Sequence, residues 1–168
     1  IINICISMIF TGFNYKKVKR MNIKTLTASI ALMTVLAPSY AAESEEIIKY
    51  RNSVMEAYAG HMSAASRIVR GKVDFQDQLK LHADSMAGIA NITGTLFPED
   101  SDFGETRAKE EVWSKPKEFE QAVQENQQAV SEFNKAVASG DKDALAGSFK
   151  KISDSCKSCH EKFRTEEE

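Results

Sequence analysis

The chain has 168 residues, of which 42% are hydrophobic and 27% are charged, and its formal net charge is −2 at pH 7. A surface with no basic excess disfavours nucleic acid as a partner, because binding to a phosphate backbone depends on clustered lysine and arginine. The length fits one domain with a substantial core.

The N-terminal region reads as targeting sequence and not as part of a fold. Residues 1–20 are apolar and then basic, and we interpret them as upstream sequence translated from an early start. Residues 21–41 resemble a secretory signal, with Lys24 before an apolar run at Leu26–Leu36 and a small-residue cleavage site ending at Ala41. We therefore expect export to the periplasm and a mature chain of residues 42–168.

An uncleaved membrane anchor is the alternative, since Ile23–Ala42 is long enough to span a bilayer. Pro38 and the small residues around it are more typical of a processing site than of a membrane flank, which favours cleavage. The predicted mature domain then has no membrane segment.

Cleavage changes the composition of the remaining 127 residues. Five basic residues and no acidic ones are removed, so that 17 basic residues face 24 acidic ones and the net charge becomes −7. Cys5 is also removed, which leaves Cys156 and Cys159 as a closely spaced pair. An exported chain with such a pair beside a histidine fits a compartment in which haem is attached covalently.

The mature part shows apolar residues at intervals of three and four, which predicts helices, and no convincing strand pattern. The first predicted helix has Ser44 as its N-cap and stops at Gly71, and the second starts near Asp74. The apolar stripe of the first helix holds Ile47, Arg51, Val54, Met55, Tyr58, Met62, Ala65 and Val69, and that of the second includes Phe75, Leu79, His82, Met86 and Ile89.

A turn-rich segment at 98–105 and a short helical turn within 107–113 separate these helices from two more. The third is signalled by Ser114 before Pro116 and runs to Gly140, with Asn126 on its stripe, and the fourth opens at Asp141. The sequence therefore predicts an all-α fold, an antiparallel four-helix bundle with an up-down-up-down path.

The last helix carries the most specific motif of the chain, Cys156-Lys157-Ser158-Cys159-His160. In the order C-x-x-C-H each thiol can add to one vinyl group of a haem while the imidazole ligates the iron. On a helix the three side chains at i, i+3 and i+4 share one face. The motif predicts one covalently bound haem c with His160 as the proximal iron ligand, and the other face of the haem must be covered by residues that precede Cys156.

Other roles for the cysteine pair find less support. A thioredoxin-like dithiol would need βαβ signals, a zinc site would have only His61 and His82 to complete it, and a disulfide would not explain the adjacent His160.

The chain resembles cytochrome c prime, a class II c-type cytochrome and a standard member of the four-helix-bundle class. The resemblance covers residues 45–165. It rests on the C-terminal CKSCH followed by Arg164, on Tyr50-Arg51 with Met55, and on the short matches Phe103-Gly104 and 112–114.

The resemblance implies a haem inside one end of the bundle, covered on its distal face by Met55. It also implies a homodimer through the first two helices and reversible binding of nitric oxide and carbon monoxide. Three states of Met55 remain open. It packs over a five-coordinate iron that gases can reach, its thioether is the sixth ligand of a low-spin electron carrier, or it lies away from the haem as an ordinary core residue.

Two arginines are candidates for the haem propionates, because a guanidinium can bind a carboxylate through two hydrogen bonds. They are Arg51 and Arg164, and in the family an arginine at the latter position lies close to the proximal histidine. His61 is interpreted as a surface or dimer-face residue, and His82 as a hydrogen-bonded core residue. With Met55 and apolar neighbours on the distal face we expect no enzymatic activity, and the redox partner is not identified by the sequence.

Overall fold

The computed structural model describes residues 37–166, with side chains from residue 43 onward. The chain divides into a unit of residues 1–38 and a unit of residues 39–168, and the bundle described below belongs to the second. Residues 1–20 and most of the predicted signal peptide at 21–41 lie outside the described residues. Among those described, no helix combines the length and the apolar content needed to cross a membrane.

Five helices make up the described chain, namely α1 (Ala37–Val69), α2 (Leu79–Ile92), α3 (Glu111–Ser114), α4 (Pro116–Ser139) and α5 (Lys142–Phe163). Four of them are long and α3 is a single turn. Between residues 37 and 166 the chain forms no strand, only an isolated β-bridge between Ala108 and Arg164. The predicted all-α class is confirmed.

The long helices run antiparallel to their neighbours in sequence. The contacts show this for three helix pairs, namely α1 with α2, α2 with α4, and α4 with α5. In each pair, residue numbers rise along one helix as they fall along its partner, which gives the predicted up-down-up-down path. The pairs are His61 with His82 and Ile68 with Gln76 in the turn just before α2, then Ala83 with Asn134 and Ala90 with Gln127, then Glu132 with Lys151 and Asn126 with Ser155.

Three predicted helix boundaries are confirmed by backbone geometry. Gly71 and Gly140 follow α1 and α4 with φ of 63° and 69°, a left-handed conformation that costs glycine little. Asp141 is the N-cap of α5, and its carboxylate accepts hydrogen bonds of 3.0 Å from the backbone N–H groups of Asp143 and Ala144. Each of these helix ends depends on residues within about one turn, so local sequence can predict it.

The predicted N-cap at Ser44 is wrong. The helix already begins at Ala37, so that Ser44 lies inside it, and the Ser44 hydroxyl donates to the carbonyl of Phe103 instead of capping its own backbone. The Ser44 side chain is also buried, because it packs against the segment that contains Phe103. The side chain therefore joins α1 to the long connection between α2 and α4.

The second helix starts later than predicted. Phe75 has φ −127° and ψ 46°, outside the helical region, so that only one 3₁₀ turn, Gln76–Gln78, precedes α2. The third long helix starts at Pro116 as predicted, and the residue at its N-cap position is Lys115, not Ser114. Ser114 closes the short helix α3, and its hydroxyl donates to the carbonyl of Glu110.

The buried apolar residues form two clusters. The larger, called the main cluster, joins α1, α2, α4 and α5, and the smaller, called the end cluster, joins α3, α4 and the end of α5. The main cluster comprises Tyr58, Ala65, Ile68, Leu79, Ala83, Met86, Ala90, Ala129, Val130, Phe133, Phe149 and Ile152. The end cluster comprises Val112, Phe119, Ala122, Val123 and Phe163. The division falls between Val123 and Ala129 on α4, and between Ile152 and Phe163 on α5.

Candidate functional site

The C-x-x-C-H motif lies on the last two turns of α5, at the level where the core divides. Cys156 packs against the main cluster and Cys159 against the end cluster. Both are free thiols, and they and His160 are half-buried. The helical spacing places the two sulfurs and the imidazole on one face, as predicted.

A hydrogen-bonded chain of side chains leads from α1 to the first thiol. The Tyr58 hydroxyl donates to Asn126 Oδ1 at 2.9 Å, and Asn126 Nδ2 donates to Ser155 Oγ at 3.0 Å and to Cys156 Sγ at 3.5 Å. Tyr58 and Asn126 are buried. A buried amide with both its donor and its acceptor occupied fixes the relative positions of three helices.

Burial favours the neutral forms of Cys156, Cys159 and His160. It raises the pKa of the Cys156 thiol, and together with the neighbouring Cys156 it raises the pKa of Cys159 to about 11. Burial, and then the positive charges of Arg164 and Arg107, lower the pKa of His160. A neutral imidazole has the free lone pair that a metal ligand needs. No hydrogen bond to the His160 ring occurs within residues 37–166.

Met55 lies on α1 between two buried residues, Arg51 and Tyr58, and is itself half-buried. Tyr58 is joined through Asn126 to the level of Cys156. Because α1 and α5 are antiparallel, one turn back along α1 corresponds to one turn forward along α5. Met55 is therefore at the level of Cys159 and His160, and it belongs to neither core cluster.

Arg51 is buried, with 3% of its surface exposed. Its guanidinium donates to the carbonyl of Leu96, to the hydroxyl and the carbonyl of Ser101, and to Thr106 Oγ1 at 2.7 Å. It also stacks over the ring of Phe97 at 4.6 Å, and desolvation lowers its pKa. No carboxylate among the described residues pairs with this cation, and its predicted role in binding a propionate stays a prediction.

Arg164 is exposed and follows the last residue of α5. Its backbone N–H donates to the carbonyl of His160 at 2.9 Å, and its charge acts on the His160 ring. A short antiparallel contact to Ala108 fastens this end of the chain, with Thr165 N donating to the Arg107 carbonyl at 2.9 Å. The predicted propionate contact of Arg164 stays a prediction as well.

A match to a known protein family explains why these features occur in one chain. A family model described as "Cytochrome C'" covers residues 46–164 of the chain. The chain belongs to the cytochrome c prime family.

One relative matches by sequence, and two solved structures match by fold as well. The cytochrome c prime of Pararhodospirillum photometricum is 32% identical over 124 residues, which is 73% of this chain and 99% of that protein. A ferrous variant of the Alcaligenes xylosoxidans cytochrome c prime with bound nitric oxide matches at 26% identity and a TM-score of 0.69, covering 74% of this chain and 97% of that one. A carbon monoxide complex of another variant matches at 27% identity and a TM-score of 0.68, covering 73% and 97%.

The residues of this cytochrome c prime fit the haem that the family implies. Two free thiols and an imidazole whose ring makes no hydrogen bond within the described part of the chain share one face of α5, between two apolar clusters rich in aromatic side chains. Phe97 and Trp113 pack against the end cluster. They form a row of edge-to-face ring contacts with Phe119 and Phe163, in the order Trp113, Phe97, Phe119, Phe163. Cys156 and Cys159 would hold the group covalently and His160 would ligate its iron.

Several functional contacts were missed by the sequence analysis. The Tyr58–Asn126–Cys156 chain and the effect of Arg107 on His160 join residues far apart in sequence. The available signal was Asn126 on an otherwise apolar stripe, because a buried amide requires partners. His82 is hydrogen-bonded as predicted, with His61 as its partner, but it is half-buried and not the core residue that the sequence analysis expected.

Proposed function

We propose that this cytochrome c prime carries one covalently bound haem c and binds small gases, nitric oxide and carbon monoxide, with His160 as proximal ligand. The observation that carries the proposal is the position of Met55. It is half-buried at the level of Cys159 and His160, on a different helix, and outside both packed clusters. A flexible apolar side chain at such a place can cover a distal face and still yield to a ligand.

When bound, the haem would supply an iron able to take a small gas as a ligand. The chain does the rest. Cys156 and Cys159 fix the group to α5, and burial keeps the His160 imidazole neutral and able to ligate. Met55 restricts access by its volume, and Arg51, one turn earlier on α1, holds the loop from Leu96 to Thr106 against that helix.

Two relatives support the proposal of gas binding, because these Alcaligenes variants were solved with nitric oxide or carbon monoxide bound. Electron transfer is the second function that we propose. In its specific form, the thioether of Met55 is the sixth ligand and the haem is low-spin, and the level of Met55 on α1 is compatible with this.

One experiment separates the two. The absorption spectrum of the ferrous protein is recorded with and without carbon monoxide, in wild type and in Met55→Ala. The gas-binding proposal expects a high-spin ferrous form that takes up carbon monoxide readily, and faster uptake in Met55→Ala. A low-spin wild type that resists carbon monoxide and becomes high-spin in Met55→Ala would establish the His/Met carrier instead. Equal spin state and uptake in both proteins would show that Met55 does not cover the iron.

The remaining parts of the proposal concern the setting of the protein. We propose export to the periplasm with cleavage after Ala41, a homodimer, and a role as a binding or carrier protein with no catalytic residue. A net charge of −7 for the mature chain favours a basic redox partner through electrostatic steering. Mass spectrometry of exported protein gives the N-terminus and the haem mass together, and sedimentation gives the oligomeric state.

A further inference from the structure

A pair of histidines outside the haem region joins α1 to α2. His61 Nδ1 and His82 Nδ1 lie 3.0 Å apart, and the ring centroids are 5.3 Å apart with the planes inclined by 56°. Both side chains are half-buried, so that solvent reaches them. The sequence contains three histidines, and the third is His160, the predicted iron ligand.

The distance between the two nitrogens is that of two ligands on one metal ion. With metal–nitrogen bonds of about 2.0–2.1 Å, two adjacent ligands lie roughly 2.9 Å apart in a square arrangement and about 3.4 Å apart in a tetrahedral one. The observed 3.0 Å is close to the square arrangement. Two helices already packed together hold the rings in place, so that little ordering is needed on binding.

We propose that His61 and His82 form a binding site for a divalent transition-metal ion, Cu²⁺ in preference to Zn²⁺, with water in the remaining positions. Imidazole nitrogen suits both ions, and a square arrangement of nitrogen and oxygen ligands is typical of Cu²⁺. Among the residues that the structure describes, no third histidine, cysteine or carboxylate completes a cluster with the pair. The site is therefore open and binds more weakly than a closed structural site.

The protonation of the pair is compatible with this role. In the hydrogen bond one ring donates its Nδ1–H to the lone pair on the other ring. When an ion binds, that proton moves through solvent to Nε2 of the same ring, which leaves the Nδ1 lone pair of each ring available to the metal. Partial burial, followed by the charge of His61, lowers the pKa of His82, which keeps that ring neutral near pH 7.

An ion held by both rings also links α1 to α2. Because it binds the folded chain and the unfolded chain lacks the site, it stabilises the fold by mass action. This second consequence can be measured without reference to haem chemistry. The proposal does not rest on gas binding and goes beyond it.

The test uses the haem-loaded protein, in which His160 is occupied. Cu²⁺ and Zn²⁺ are titrated separately by calorimetry into wild type, His61→Gln, His82→Gln and a control, Asp84→Asn, which alters an exposed acid on the same helix. We expect one ion per chain in wild type and in the control, with Cu²⁺ bound more tightly. Loss of one ligand should weaken binding by at least about tenfold, since even loss of a ligand's outer partner costs on the order of tenfold.

Thermal unfolding with and without Zn²⁺ gives an independent readout. Wild type and Asp84→Asn should gain stability with Zn²⁺, and the two histidine variants should gain less at the same Zn²⁺ concentration. The Soret band and far-ultraviolet circular dichroism of each sample confirm haem loading and folding, so that loss of haem is not mistaken for loss of the metal site. Binding in the histidine variants equal to wild type, or no binding in wild type, would overturn the proposal.

Discussion

Tyr58 on α1 donates a 2.9 Å hydrogen bond to Asn126 on α4, across 68 residues of chain, and the same amide donates to Cys156 on α5. This contact places Cys156, the first of the two residues proposed to attach haem, relative to two other helices. Since Tyr58 is one turn from Met55, it also relates the proximal motif to the side chain expected on the opposite face.

Removal of the Tyr58 hydroxyl should therefore destabilise the protein. In Tyr58→Phe the buried Asn126 Oδ1 loses its donor, and we expect the free energy of unfolding to fall by about 1–3 kcal/mol. Urea denaturation of the haem-loaded protein measures this. Tyr50→Phe is the matched control, because Tyr50 lies on the same helix and is 60% exposed. Equal stability of both variants and wild type would mean that the hydrogen bond contributes nothing.

Replacing Arg51 should loosen the connection between α2 and α4. In Arg51→Met the apolar stem is kept, but Leu96, Ser101 and Thr106 lose their common donor. We expect a loss of about 3 kcal/mol, as for hydrogen bonds to a buried charged group, and faster amide hydrogen exchange over residues 97–106. Arg67→Met, an exposed change on the same helix, is the control and should alter neither measurement. Unchanged exchange over 97–106 in Arg51→Met would contradict the prediction.

The cap of α5 should support the helix that carries the haem motif. Asp141→Ala removes the acceptor of two backbone N–H groups, and we expect a loss of about 1 kcal/mol in the free energy of unfolding. Asp141→Asn keeps an acceptor of the same shape and should lose much less. Thermal or urea unfolding distinguishes the two, and an equal loss in both variants would show that the cap is not the cause.

Stability should decrease in mild acid because of His82. Burial, then His61, lowers the folded-state pKa of His82 below its ordinary value of 6.5, so that the unfolded chain binds the proton more readily. The stability is fully present above pH 6.5 and is lost as the pH falls through the folded-state pKa. Urea midpoints measured from about pH 7.5 to about pH 5 should fall less steeply in His82→Gln than in wild type. Parallel curves for the two proteins would exclude His82 as the source.

The helix ends show how much of the structure can be predicted from local sequence. The sequence correctly predicts Gly71, Gly140 and Asp141 as residues at helix ends, because a left-handed residue and an N-cap act within one turn of chain. Ser44 carries the same local signal and was misinterpreted. Its hydroxyl finds a partner 59 residues away at Phe103, and no local pattern contains that alternative.

The sequence by itself determined the class of the fold, the four amphipathic helices and the haem motif, because periodicity and the C-x-x-C-H spacing are properties of a few consecutive residues. Tertiary structure alone decided which side chains meet. It brought Asn126 to Cys156, gave the buried Arg51 its oxygen partners, and placed His61 against His82. The physical reason is that such pairs lie 21 to 55 residues apart, and their distances depend on how whole helices pack.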